Sequence, residues 1–117
     1  MLVLPLDIKI FIAAGAVNMN KSIDGLSMLV QNVMGQDPFS RHLFVFRNKQ
    51  RDRVKILYWD RNGFCVWYKR LERGKFQFPK AVQKNYIIKA TELGLLLEGI
   101  DFSKIKSLPN KRYKSVC

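Results

Sequence analysis

The sequence predicts a small α+β domain, and three observations carry that prediction. Strand-like and helix-like periodicities alternate along 117 residues, a length that suits a single domain. The stretch Asp60-Arg61-Asn62-Gly63 separates two runs rich in β-branched and aromatic residues, which signals a tight hairpin. Two other segments repeat apolar residues at helical spacing, as helices with one buried face do.

Taken in order, Ile8 to Ala13 is β-branched and aromatic and reads as a strand closed by Gly15. Ser22 then precedes Ile23, Leu26, Leu29, Val30 and Val33, which share one helical face, with Gly35 as the stop. Gln36-Asp37-Pro38 is a turn. Leu43 to Phe46 is apolar throughout, which predicts a strand buried on both faces. Arg53 to Trp59 alternates: Val54, Ile56 and Tyr58 point one way, and Arg53, Lys55, Leu57 and Trp59 the other. Asn62 and Gly63 both tolerate positive φ, so the chain returns as a strand from Phe64 to Leu71. Asn85 to Lys89 adds a further strand, and Thr91 caps a helix carrying Leu93, Leu96, Leu97 and Ile100. The expected whole is an antiparallel sheet around the basic Arg53–Leu71 hairpin, with two helices, near 22–34 and 91–100, packed against it. Residues 1–103 form the domain, and 104–117 a basic, disordered tail.

Charge is the abnormal quantity. Lys and Arg number 21 against 9 Asp and Glu, a net charge of +12. The segment from Arg41 to Lys89 holds 14 of those cations against Asp52, Asp60 and Glu72, so it carries +11. That exceeds what solubility asks of a surface and points to a polyanionic partner. The apolar N-terminal stretch is interrupted by Pro5, Asp7 and Lys9, so it reads as neither signal peptide nor membrane helix. A cytoplasmic protein without a membrane partner is expected.

Catalytic and metal chemistry find no constellation. Cys65, Cys117 and the single histidine, His42, do not make a metal site. A Cys65–Cys117 disulfide is disfavoured, because one cysteine sits in an apolar run and the other ends a basic tail. The acids form no set suited to metal-assisted phosphoryl transfer, and Gly63 and Gly74 stand alone in turns rather than in a phosphate loop. No cofactor, metal or catalytic residue is expected.

The hairpin from Arg51 to Arg73 mixes cations with flat rings. Its outward positions are expected to include Arg53, Lys55, Trp59, Trp67 and Lys69, with Tyr68 and Arg70 beside them. Cations neutralise phosphates and release counterions, rings stack on exposed bases, and a two-stranded ribbon fits the major groove. Each tryptophan taken alone suits the core better than the surface. The candidate DNA-binding set is Arg47, Lys49, Arg51, Arg53, Lys55, Arg61, Lys69, Arg70, Arg73 and Lys75.

Particular stretches resemble a known family. They are Lys21 with Asp24-Gly25-Leu26, then Gly35-Gln36-Asp37-Pro38-Phe39-Ser40 and Leu43-Phe44-Val45-Phe46. Asp52 to Asp60, Gly63-Phe64, Tyr68 to Phe76, Pro79 and Leu95 to Asp101 follow in the same order. The chain resembles the TnpB accessory proteins of the insertion-sequence family numbered sixty-six, products of that element's second reading frame. The likeness runs from about Ile8 to Asp101. Asn20 departs from it, standing where the family usually carries a basic residue, and residues 80–89 and the tail differ as well.

The resemblance implies a helper in moving a bacterial mobile element, distinct from the catalytic transposase. Joined to the charge, it predicts a non-enzymatic accessory protein that binds DNA at the element ends through the basic hairpin. Two alternatives stay open: a subunit that docks onto the transposase without reading DNA, and an RNA-binding module. None of these readings specifies an oligomeric state.

Overall fold

The computed structural model describes residues 7–79 and 85–101. Five strands form one sheet in the order β4-β3-β2-β1-β5. They are β1 (Ile10–Ala16), β2 (Leu43–Arg47), β3 (Arg53–Asp60), β4 (Gly63–Arg70) and β5 (Tyr86–Ile88), with α1 (Ile23–Asn32) between β1 and β2 and α2 (Ala90–Leu97) at the end. The α+β class holds. The sheet is mixed rather than wholly antiparallel: β1 and β2 run parallel, with Ile10 opposite Leu43 and Ile12 opposite Val45. A parallel neighbour needs a crossover, and α1 supplies it. The other pairings, β1–β5, β2–β3 and β3–β4, are antiparallel.

Both faces of the sheet are covered. On one, Phe11, Ala13, Phe44, Phe46 and Leu57 pack with Leu26, Val30 and Met34 of α1 and its C-terminal end. On the other, Ile10, Ile12, Val45, Val54, Ile56 and Ile88 pack with Leu93, Leu96 and Leu97 of α2 and with Phe76. Leu43 to Phe46 is at most 2% exposed, because β2 is the central strand with a helix layer on each side.

Several boundaries differ from the sequence expectation. Strand β1 continues through Gly15 to Ala16; its register slips between Ile12 and Ala16, a bulge that lets the backbone run on. Ser22 holds the N-cap of α1 but makes no side-chain cap bond, and the left-handed Gly35 (φ 66°) closes the helix as expected. Lys89, not Thr91, is the N-cap of α2; the Glu92 carboxylate accepts from the Lys89 N–H at 2.8 Å. The hairpin turn is a two-residue loop whose positive φ falls on Arg61 (51°) rather than on Asn62 or Gly63. The proposed tail, from Lys104 on, lies outside the described residues, as do Lys80, Lys84 and Cys117.

Candidate nucleic-acid interface

The β3–β4 register decides which cations share a surface. Asp60 faces Gly63, so Lys55 faces Tyr68 and Arg53 faces Arg70. Directly opposed residues point to the same side of a sheet. Arg53, Lys55, Trp59, Tyr68 and Arg70 therefore lie on the α1 side, while Trp67 and Lys69 lie on the α2 side with Val54 and Ile56. The expected outward set of Arg53, Lys55, Trp59, Trp67 and Lys69 is split between the two faces.

Lys69 has a local structural job. Its ammonium donates to the Leu97 carbonyl at 2.8 Å, at the C-terminal end of α2, where a positive charge is favoured by the helix dipole. Trp67 packs against the α2-side core. Trp59 is half-buried, edge-on to Phe39 and to Phe64 with ring centroids 5.0 Å apart in both pairs. It is neither fully core nor a bare stacking platform.

Eight of the ten candidate cations converge on one end of the sheet. Arg47 ends β2, Arg53 begins β3 and Arg70 ends β4, so the three meet where the β2–β3 turn carries Lys49 and Arg51. Beyond β4, the Leu71 N–H donates to the Asp52 carbonyl and the Phe76 N–H to the Arg51 carbonyl, which lays Arg73 and Lys75 along that turn. Lys55 lies one inward-facing position further down; its ammonium donates to the Lys21 carbonyl at 3.1 Å and sits 5.8 Å from the Tyr68 ring centroid. Arg61 lies at the opposite end, about 25 Å away at roughly 3.3 Å per strand residue.

The turn that presents these cations is built around Asn48, the buried polar side chain of this region, at 9% exposure. Its Oδ1 accepts from the N–H groups of Asp52 (3.1 Å) and Arg53 (3.0 Å), and its Nδ2 donates to the Asp52 carboxylate at 2.6 Å. Asp52 is thereby occupied by Asn48, and Glu72 pairs with Arg70 at 2.9 Å. Lys49, Arg51, Arg53, Arg73 and Lys75 have no carboxylate partner among the described residues. On the α2 side, Arg47 stands 5.6 Å from the Phe78 ring centroid and beside Tyr86, whose phenol burial pushes up to about 12 while the Arg47 charge opposes the rise.

A cleft of about 400 Å³ opens at the same end, between the β1–α1 loop and the β2–β3 turn. Asn18, Met19, Asn20, Asn48, Lys49, Gln50 and Arg53 are among its lining residues, and no carboxylate is. These amides escape a charge count, though a polar Asn48 directly after an apolar strand marks the turn. His42 takes a structural role, its Nδ1 accepting from the Lys9 N–H at 3.0 Å. Among the described residues no group of His, Cys, Asp and Glu could hold a metal ion, and no helix is long and apolar enough to cross a membrane.

The match to known proteins covers this whole arrangement. Residues 8–107 match the family described as IS66 Orf2 like protein. The chain belongs to that family. It is 35% identical to Uncharacterized protein y4jC of Sinorhizobium fredii (strain NBRC 101917 / NGR234) over 105 residues, 90% of each chain. It is 34% identical to Uncharacterized protein y4hO of the same strain over 96 residues, 82% of this chain and 84% of the relative. No solved structure matches it. Membership in the IS66 Orf2-like family gives the chain a transposition-associated accessory role.

Proposed function

We propose that this IS66 Orf2-like protein binds DNA of its mobile element through the basic end of the sheet, as a non-enzymatic helper. The supporting observation is the convergence of Arg47, Lys49, Arg51, Arg53, Lys55, Arg70, Arg73 and Lys75 at one end, with the carboxylates of Asp52 and Glu72 already engaged. Cations gathered along one rim neutralise phosphates at successive positions and release their counterions. Arg61 and Lys69 fall outside this surface, and Lys69 serves α2. The test is a titration of the purified chain on element-end DNA beside scrambled DNA of equal length. Tighter binding to the element end supports the reading. Absence of binding to either DNA, with binding only when transposase is added, overturns it.

A second reading has its own observation. At the opposite end, Phe39 is 56% exposed and packs on Trp59 and Phe64, and Arg41 and Arg61 lie near that end. Exposed aromatics with arginines have the composition of protein-interface anchors. Docking on the transposase through this end leaves the basic end free for DNA, so the two readings are compatible.

A further inference from the structure

We propose that the cleft between the β1–α1 loop and the β2–β3 turn seats one unpaired nucleotide of the bound DNA. This rests on the DNA reading above and deepens it. The cleft lies at the carboxyl ends of β1 and β2, the parallel pair, which is where open α/β sheets place their ligands. Its volume of about 400 Å³ falls in the range of single-ligand sites, about 300–1,000 Å³. A double helix cannot enter it; a single projecting nucleotide can.

The lining chemistry selects that ligand. Asn48 is saturated by Asp52, Arg53 and Gln50 and acts as the frame. The side-chain amide of Asn20, the NH2 of Gln50, the Lys49 ammonium and the Arg53 guanidinium have no hydrogen-bond partner among the described residues. The Asn20 carboxamide carries a donor and an acceptor side by side, the pattern that matches a base edge, and the Gln50 NH2 adds a further donor. Lys49 and Arg53 supply the charge for the attached phosphate. Met19 offers a soft apolar surface for the base. An inorganic anion accepts from these donors but leaves the Asn20 side-chain carbonyl and the Met19 surface unused, and a paired base hides its Watson–Crick edge. A nucleotide outside the duplex uses all of these groups.

The test compares a blunt duplex with the same duplex carrying a three-nucleotide single-stranded overhang, each titrated with the full chain at fixed salt. The overhang is expected to tighten binding about tenfold, the effect of one well-seated base. Asn20→Ala and Gln50→Ala are expected to erase most of that gain and leave blunt-duplex affinity unchanged. Arg73→Ala is expected to weaken both DNAs by the same factor. Equal affinity of the parent for the two DNAs overturns the nucleotide site while leaving the basic surface standing. So does an equal loss on both DNAs from Asn20→Ala and Gln50→Ala. Failure of the parent to bind either DNA overturns the DNA reading itself, and this inference with it.

Discussion

Three arginines hold backbone conformations that favour glycine: Arg41 (φ 74°), Arg51 (φ 61°) and Arg61 (φ 51°). Such residues cost roughly 1–3 kcal/mol and persist only where their surroundings over-determine them. Asn48 does that for Arg51, since its side chain binds the backbone on the far side of the turn. Arg51 and Arg61 share this strain but sit at opposite ends of the sheet, which makes them a matched pair. Arg51→Gly and Arg61→Gly are each expected to hold stability or raise it, by up to about 1 kcal/mol after the entropy cost of glycine. Arg51→Gly alone is expected to flatten the salt dependence of DNA binding by about one unit. Thermal melts beside titrations check both halves. At this scale the identity of the cations was legible in the sequence, and the separation of Lys69 from Arg53 was legible too. A two-residue loop at either Arg61-Asn62 or Asn62-Gly63 puts those two on opposite faces, and the Asn-Gly signal leaves open only which residues stand directly across from each other.

At the scale of elements, Lys69 links β4 to the end of α2 and Trp59 links β3 to the loop after α1. Lys69→Met removes a charge-assisted bond to the Leu97 carbonyl. It is expected to cost about 1–2 kcal/mol, read as a lower urea midpoint, with DNA affinity unchanged. Trp59→Ala leaves Phe39 and Phe64 without their shared ring. A fully buried tryptophan costs about 3–5 kcal/mol when truncated, so this half-buried one is expected to cost about 2 kcal/mol, again with DNA affinity per folded molecule unchanged. Strand β5 carries a pH dependence through Tyr86. Its phenol rises from the ordinary 10 to about 12, chiefly by burial, so the folded state keeps its proton longer than the unfolded chain. The resulting stability is complete below pH 10 and is lost as pH rises toward 12. Tyr86→Phe is expected to retain more of its pH 9 stability at pH 11 than the parent does, measured by chemical denaturation. Strand and helix identities were legible from periodicity. The parallel β1–β2 pair departs from the antiparallel sheet expected, because the strand–helix–strand order that implies a crossover was outweighed by the hairpin signal. The bulge at the end of β1 was not legible, because Gly15 reads equally as a stop and as a kink.

Across the whole molecule, the +12 charge is distributed unevenly in three dimensions. Helices cover both faces of the sheet, so the strand ends and turns become the exposed sites for cations. One end gathers most of the cations among the described residues, and the other carries the Phe39–Trp59–Phe64 cluster. That polarity suits a helper that holds DNA at one end and a protein at the other. Composition revealed the excess charge; only the topology brings Arg73 and Lys75 beside Lys49 and Arg51, because their meeting depends on the bonds from Leu71 and Phe76 back to the turn. The most direct test is a series of DNA titrations of the parent and of an Arg51→Ala/Arg70→Ala/Arg73→Ala variant between about 50 and 200 mM salt. Neutralising about five or more phosphates gives the parent a double-logarithmic slope of roughly −4 or steeper, and the variant a slope flatter by about three. A parent slope near −1, or a variant slope equal to the parent's, contradicts the assignment of this end as the DNA surface.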